Sequence, residues 1–110
     1  MGSKYGAQRT EVDGITFASK KEARRYGELK LLERAGEIRN LELQPRFPLR
    51  VGDVLVCTYV GDFAYCTRPL PGALNVGEFV VEDAKGFKTP EYKLKAKLFK
   101  ALNGFEITEV

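Results

Sequence analysis

The stretch from Leu41 to Lys85 constrains the fold most, because it is rich in strand-forming residues and lies between two helical segments. Val54 to Cys66 is dense in Val, Tyr, Phe and Thr, which predicts a long strand with two largely apolar faces, buried on both sides. Leu41 to Arg50 predicts a strand that two prolines make irregular. Strand character returns by Val76 and runs to about Lys85. Three strands therefore follow one another along the chain.

Capping residues mark the flanking helices. Ser19 to Ala35 predicts a helix with Ser19 as N-cap and Gly36 at the C′ position. Thr89 to Leu102 predicts a second helix, with Thr89 as N-cap, Pro90 in its first position and an inner stripe of Leu94, Leu98 and Ala101. Phe105 to Val110 predicts a last short strand. The order αβββαβ favours an α/β fold whose mixed sheet is flanked by helices.

The length of 110 residues indicates one domain. We expect residues 1–13, which are polar and contain glycine, to form a flexible N-terminal arm and residues 14–110 to form the domain. No apolar run approaches the roughly 20 residues that a membrane span needs. We therefore expect no membrane partner.

The absence of histidine limits the chemistry open to this chain. Most zinc sites and the Ser-His-Asp and Cys-His triads are excluded. Cys57 and Cys66 lack the CxxC spacing of redox and metal motifs. A reduced, cytoplasmic setting fits this cysteine usage. Any catalysis must rest on carboxylates, Lys, Tyr or a hard metal, and carboxylates with Mg²⁺ are the natural combination.

Glu22 projects close to the middle of the apolar side of the first helix, at ~100° per residue. That side is formed by Ala23, Tyr26, Leu29 and Leu32. A carboxylate there is costly unless it is paired or bound to a cation. Ser19 and Glu22 also fit a capping box, in which the Glu22 side chain would bond back to the Ser19 N–H. Both interpretations stay open.

Two further carboxylates lie in the strand segments. Asp62 interrupts an apolar face, or else Gly61-Asp62 is a turn that splits the run into a hairpin. Asp83 and Lys85 share one side of the third strand, about 7 Å apart, while Glu82 points the other way as a bystander. A solvated ion pair at a strand end is the alternative for Asp83 and Lys85. Three carboxylates and one lysine directed toward an apolar interior suit a hard divalent cation and phosphodiester hydrolysis.

A basic cluster follows the third strand. Its six lysines stand against a single acid, Glu91, which gives a local charge of +5. Such a cluster predicts either a phosphate-binding face or a solvated helix surface. The lysines are Lys85, Lys88, Lys93, Lys95, Lys97 and Lys100.

Three features resemble the PD-(D/E)XK nuclease superfamily: the element order, the spacing of Glu22, Asp62, Asp83 and Lys85, and three stretches of sequence. These stretches are FASKKEARRYGELKLLERAGEI, LELQP and VVEDAKGFKTPEYKLKAKLF. They are similar to a small phage- and prophage-encoded group within it, related to Holliday junction resolvases. The resemblance runs from about Tyr5 to Val110. Gly61 replaces the proline of the motif name, and the loop Thr67 to Gly77 is less like the group.

The resemblance implies a restriction-endonuclease-like fold and a Mg²⁺-dependent endonuclease in which Mn²⁺ can substitute. Glu22, Asp62, Asp83 and the backbone carbonyl of Ala84 would bind the metal, and Lys85 would orient or activate the attacking water. The second helix would then hold the DNA backbone. The lysines assigned to that contact are Lys88, Lys93, Lys97 and Lys100.

The implied protein is a homodimer that cuts branched DNA in phage recombination or DNA processing, in the cytoplasm of a bacterial host. No base-reading motif is evident, so lysine–phosphate contacts would give affinity without sequence specificity. Two alternatives are a nuclease of the same chemistry acting on flaps, nicks or single strands, and a non-catalytic DNA-binding module on a nuclease fold.

Overall fold

The computed structural model describes residues 8–69, 71–72 and 77–110, which form eight strands and two helices. In chain order they are β1 (Thr10–Val12), β2 (Ile15–Phe17), α1 (Lys20–Arg34), β3 (Ile38–Leu43), β4 (Arg46–Val51), β5 (Val54–Val60), β6 (Phe63–Thr67), β7 (Phe79–Asp83), α2 (Pro90–Asn103) and β8 (Thr108–Glu109).

A four-stranded mixed sheet in the order β3-β6-β7-β8 forms the centre of the fold. β6 pairs antiparallel with β3 and β7, whereas β7 and β8 run parallel. Two separate two-stranded ribbons, β1-β2 and β4-β5, lie outside this sheet. The expectation of an α/β fold with a mixed sheet and two helices is confirmed.

Side chains of β6 and β7 alternate between two apolar clusters. One cluster contains Phe63 and Tyr65 with the buried side of α1, and the other contains Ala64 and Val81 with Phe99 of α2. This alternation puts the two faces of β7 in different environments. The face of Val81 and Asp83 belongs to the α2 side, and Glu82 belongs to the α1 side.

Both predicted helices form where their caps indicate. The Ser19 side chain accepts from Glu22 N, and Thr89 accepts from Tyr92 N in the same way. Gly36 and Gly104, which follow the two helices, have φ of 80° and 81°, a region that glycine enters without steric cost.

The predicted inner stripe of α2 is wrong for two of its three members, and only Leu98 packs against the core. Leu94 is 69% exposed and Ala101 is exposed, whereas Tyr92 and Phe99 are buried. At ~100° per residue the buried side lies roughly opposite Leu94 and Ala101, because the aromatic rings of α2 pack on Tyr59 and Phe47. On α1, Leu32 is likewise at the surface, although Ala23, Tyr26 and Leu29 are buried as predicted.

Two predicted strands are each divided. The Leu41–Arg50 segment breaks at Gln44, whose φ of 50° turns the chain before Pro45, so β3 and β4 enter different sheets. The Val54–Cys66 segment breaks at Gly61-Asp62, as the turn alternative predicted. A hairpin does not result, because β5 pairs with β4 while β6 pairs with β3 and β7.

The prediction that both faces of the Val54–Cys66 segment are buried is also wrong for its first half. Val54, Leu55 and Val56 are 65%, 48% and 55% exposed. The β4-β5 ribbon extends from the sheet, and only its base, with Leu49 and Tyr59, is buried.

The prediction of a flexible arm over residues 1–13 is also wrong in part. Residues 10–13 are no arm, since Thr10–Val12 pairs with Ile15–Phe17 in a hairpin. The first seven residues of the predicted arm lie outside the described residues, as do residues 70 and 73–76 of the predicted loop. The third strand begins later than predicted, at Phe79, and the last strand is limited to Thr108–Glu109. Neither helix of the described chain is long and apolar enough to cross a membrane.

Candidate active site

The candidate site lies at the end of β7, where the chain enters the loop before α2. Asp62 is held there by two hydrogen bonds. Its backbone N–H donates to the Glu82 carbonyl at 3.0 Å, and its Oδ2 accepts from Ala84 N at 2.7 Å. The predicted interruption at Asp62 therefore extends the β6–β7 pairing and sets its carboxylate beside the Asp83-Ala84-Lys85 backbone.

Asp83 is 1% exposed, so a solvated strand end is excluded. The Tyr59 hydroxyl donates to its Oδ2 at 2.6 Å, while Oδ1 is buried and has no hydrogen-bond partner among the described residues. Lys85 Nζ stands 3.7 Å from Oδ1, which is an ion pair beyond hydrogen-bond length. Burial raises the pKa of Asp83 to about 6; Asp62 also raises it, and Tyr59 and Lys85 oppose the shift.

Glu22, in the first turn of α1, lies close to Asp62 and Asp83 and is 6% exposed. Burial, then repulsion from Asp62 and more weakly from Asp83, raises its pKa to about 7. Half of the predicted capping box is present, since the Ser19 hydroxyl accepts from Glu22 N at 3.1 Å. The backbone N–H of Ala18 opposes the rise in the pKa of Glu22. Capping therefore does not account for the buried charge.

Lys85 supplies the positive charge of the site. Its side chain is 37% exposed, and Nζ lies 5.2 Å from the centre of the Tyr92 ring, within the range of a cation–π contact. Its charge lowers the pKa of both Glu22 and Asp83, as would be expected of a cation close to each of them. The four residues singled out from the sequence thus come together from α1, the β5–β6 turn and β7. We call them the carboxylate–lysine cluster: Glu22, Asp62, Asp83 and Lys85.

Glu82 was interpreted as a bystander to the site, and it lies outside the cluster as predicted, although it is not solvent-exposed. It does point away from Asp83, but it is completely buried. Arg25 of α1 donates to both of its oxygens, at 2.8 and 2.6 Å, and the Tyr65 hydroxyl donates to it as well. Arg25 follows Glu22 by three residues, a spacing that could have indicated a helix face directed at the sheet.

Tyr59 was also missed, because the prediction placed it in an uninterrupted strand on the face opposite Asp62. The break at Gly61-Asp62 removes that constraint. Tyr59 and Asp62 can then approach the same strand end.

The lysines predicted to contact DNA are not all unpaired. Lys88 pairs with Glu109 and Lys100 with Glu106, both at 2.7 Å. Lys93 and Lys97 are exposed and have no ion pair with any described residue. These two lie on the flank of α2 opposite Lys95 at ~100° per residue.

Two cavities adjoin the cluster. One of about 290 Å³ is lined by Glu22, Asp62 and Gln44, and one of about 220 Å³ by Lys85, Tyr59 and Lys95 among others. The cluster is thus accessible from both sides of β7. The described residues contain no group of three or more Asp, Glu, Cys or His side chains already arranged to hold a metal ion.

Fold and site together define an α/β domain with a partly buried carboxylate–lysine cluster at one end of a mixed sheet. The chain belongs to the family described as "Protein of unknown function (DUF1064)", whose sequence profile matches residues 2–106. No curated protein matches the chain. No solved structure matches it either.

Proposed function

We propose that the protein is a metal-dependent endodeoxyribonuclease that hydrolyses DNA phosphodiester bonds. The observation that carries this proposal is the carboxylate–lysine cluster itself. Glu22, Asp62 and Asp83 stand close enough to repel one another, and a buried oxygen of Asp83 lacks a hydrogen-bond partner in the described chain. Such an arrangement costs stability, and functional sites are where proteins tolerate that cost.

The donor set fits a hard divalent cation, Mg²⁺ or Mn²⁺. All candidate ligands are oxygens: the carboxylates of Glu22, Asp62 and Asp83, and the Ala84 carbonyl. Asp83 Oδ1 accepts no hydrogen bond from the described residues and so has lone pairs available, which supports a cation beside it. When bound, the cation supplies positive charge against the phosphate and favours ionisation of a water molecule.

The chain's own residues then have separate roles. Lys85 Nζ carries the positive charge nearest to Asp83, and would stabilise negative charge that develops on the phosphate or orient the attacking water. Asp62 holds the Ala84 peptide through its N–H, which keeps Asp83 and Lys85 in register with β6. Glu22 and Asp83 are poised to hold protons at near-neutral pH, because burial raises both pKa values.

Branched DNA is the substrate class that we propose, and a homodimer with two opposed sites is the form that would cut it symmetrically. The resemblance of the cluster and its flanking phrases to the PD-(D/E)XK nucleases related to Holliday junction resolvases supports this choice. The setting would be phage DNA recombination or processing in the cytoplasm of a bacterial host.

A substrate panel tests the proposal. Wild type, Asp83→Asn and the exposed-turn control Asp53→Asn are incubated with a four-way junction, a flap, a nicked duplex, a single strand and a linear duplex. Mg²⁺, Mn²⁺ and Ca²⁺ are compared. We expect symmetric cuts in the junction with Mg²⁺ or Mn²⁺, unchanged activity in Asp53→Asn, and a loss of about a hundredfold or more in Asp83→Asn.

The other outcomes separate the alternatives. Cleavage of flaps, nicks or single strands in preference to the junction would assign the same chemistry to a different substrate. Binding in Ca²⁺ without turnover in Mg²⁺ or Mn²⁺ would indicate a non-catalytic DNA-binding module. Equal cleavage by wild type and Asp83→Asn would contradict the proposed site.

A further inference from the structure

The hydrogen bond from Tyr59 to Asp83 joins the base of the β4-β5 ribbon to the carboxylate–lysine cluster. Tyr59 is 2% exposed, and its hydroxyl lies 2.6 Å from Asp83 Oδ2. That bond occupies one carboxylate oxygen and leaves the other, Oδ1, as the atom nearest Lys85. We propose that Tyr59 is a positioning residue, which fixes the orientation of the Asp83 carboxylate so that Oδ1 is presented to the cluster.

Packing around the Tyr59 ring gives the hydroxyl a fixed position. The ring stacks on Phe47 with centroids 6.1 Å apart and meets the edge of Phe99 at 5.5 Å. Tyr92, whose ring carries Lys85 on its face, lies 6.5 Å away. A ring held on three sides has little rotational freedom, so the carboxylate that it bonds is also restricted.

Gly61 leaves the space that this arrangement needs. A β-carbon at position 61 would lie 3.1 Å from Val81 Cγ1 and 3.4 Å from both Cε2 and the hydroxyl oxygen of Tyr59. A side chain there would therefore press on Val81, in the strand that carries Asp83, and would lie in contact with the Tyr59 ring and hydroxyl. The position that departs from the motif's proline thus contributes to the orientation of Asp83, through the contacts with Val81 and Tyr59.

The short segment from Tyr59 to Asp62 therefore contributes to the surroundings of Asp83 in three ways. It supplies the hydroxyl, the space beside that hydroxyl and the Asp62 carboxylate. The orientation of Asp83 follows from the structure of the chain alone. Only its catalytic consequence rests on the proposed function.

Nuclear magnetic resonance on the metal-free protein tests whether the Asp83 side chain is held in one position, as a fixed carboxylate orientation requires. Three-bond couplings from the backbone nitrogen and carbonyl to Asp83 Cγ report whether the side chain occupies one rotamer. The variants are Tyr59→Phe, Gly61→Ala and the control Tyr26→Phe, which loses a buried hydroxyl bonded to Asp13 instead. We expect one rotamer in wild type and Tyr26→Phe, averaged couplings in Tyr59→Phe, and an intermediate result in Gly61→Ala.

Cleavage kinetics supply the second measurement. In Tyr59→Phe, kcat should fall about tenfold or more while KM for DNA stays unchanged, because the ring and the surface remain. Gly61→Ala covers the case in which Tyr59→Phe fails to fold. A single, unaltered Asp83 rotamer in both variants would overturn the inference, even if wild type is an active nuclease. Averaged couplings with no cleavage by wild type would uphold the positioning role and refute the proposed function.

Discussion

Asp83 is buried, but its surroundings differ from those of a residue that only stabilises the fold. Among the described residues its carboxylate accepts a hydrogen bond from Tyr59 and has a cation 3.7 Å away, while the neighbouring Asp62 raises its pKa. A buried charge selected for stability is normally paired and fully hydrogen-bonded. The buried oxygen without a hydrogen bond therefore represents a cost in stability, and removing the charge should recover part of it.

Asp83→Asn should consequently leave the metal-free protein as stable as wild type or more stable. The amide has nearly the same shape and can still accept from Tyr59, but it removes repulsion from Asp62 and Glu22. We expect the free energy of unfolding at pH 8 to rise by 0 to about 2 kcal/mol. Urea unfolding in a chelating buffer measures it. A melting temperature many degrees below wild type would instead indicate a structural ion pair with Lys85.

Glu22 should make stability depend on pH. Its pKa is raised from 4.5 to about 7 by burial and then by repulsion from Asp62, so the folded state holds its proton more tightly than the unfolded state. Between these two values the folded state binds more protons, and the free energy of unfolding therefore falls as pH rises. The fall should be of the order of 3 kcal/mol.

Glu22→Gln should flatten this dependence between pH 4.5 and 7. Urea unfolding across that range compares it with wild type and with Glu11→Gln, a matched change on the exposed side of β1. Asp83 titrates in an overlapping range, from 3.8 to about 6, so a smaller slope should persist below pH 6. A Glu22→Gln curve parallel to wild type would show that Glu22 is not protonated more readily in the fold.

The helices and strands of this protein differ in how far sequence predicts them. α1 and α2 begin at Ser19 and Thr89 because a cap is a local interaction, readable within four residues. Strand partners are set by contacts distant in sequence, which is why one apparent strand proved to be β5 and β6 in different sheets. The cluster was predictable from charges on apolar faces, but Tyr59 and Arg25 required knowledge of those partners.

Arg25 and Glu82 join α1 to β7, the two elements that carry Glu22 and Asp83. Breaking this pair should be costly, because residue 82 is completely buried and an amide there could accept only one of the two guanidinium hydrogen bonds and would leave the Arg25 charge without its partner. We expect Glu82→Gln to lower the free energy of unfolding by about 3 kcal/mol. Urea unfolding against exposed Glu42→Gln measures the effect. Glu82→Gln and Asp83→Asn, which change neighbouring residues of β7, should thus alter the free energy of unfolding in opposite directions. A Glu82→Gln variant as stable as wild type would contradict the stabilising role given to the Arg25–Glu82 pair.

At the scale of the whole molecule, the basic residues of α2 flank its buried side. Lys93 and Lys97 project on one flank, and Lys95 projects on the other, into the cavity that Lys85 and Tyr59 line. DNA that reaches the cluster through that cavity would meet Lys95 first. Lys95 already has a partner, Glu91 at 3.2 Å, so its net contribution to phosphate binding is reduced.

We therefore predict that Lys93 and Lys97, which lack ion pairs with the described residues, carry more of the electrostatic affinity for DNA than Lys95. Each phosphate contact adds about 0.9 to the slope of log affinity against log salt for duplex DNA. Replacing both lysines with glutamine should lower that slope by about 1.8, whereas Lys95→Gln should lower it by less than 0.9.

Fluorescence anisotropy with a labelled junction, in the Asp83→Asn background to prevent cleavage, measures the slopes. Lys30→Gln, which removes a lysine paired with Glu33 on α1, serves as the control. A larger effect from Lys95→Gln than from the double replacement would place the DNA on the cavity flank of α2, because only Lys95 projects there.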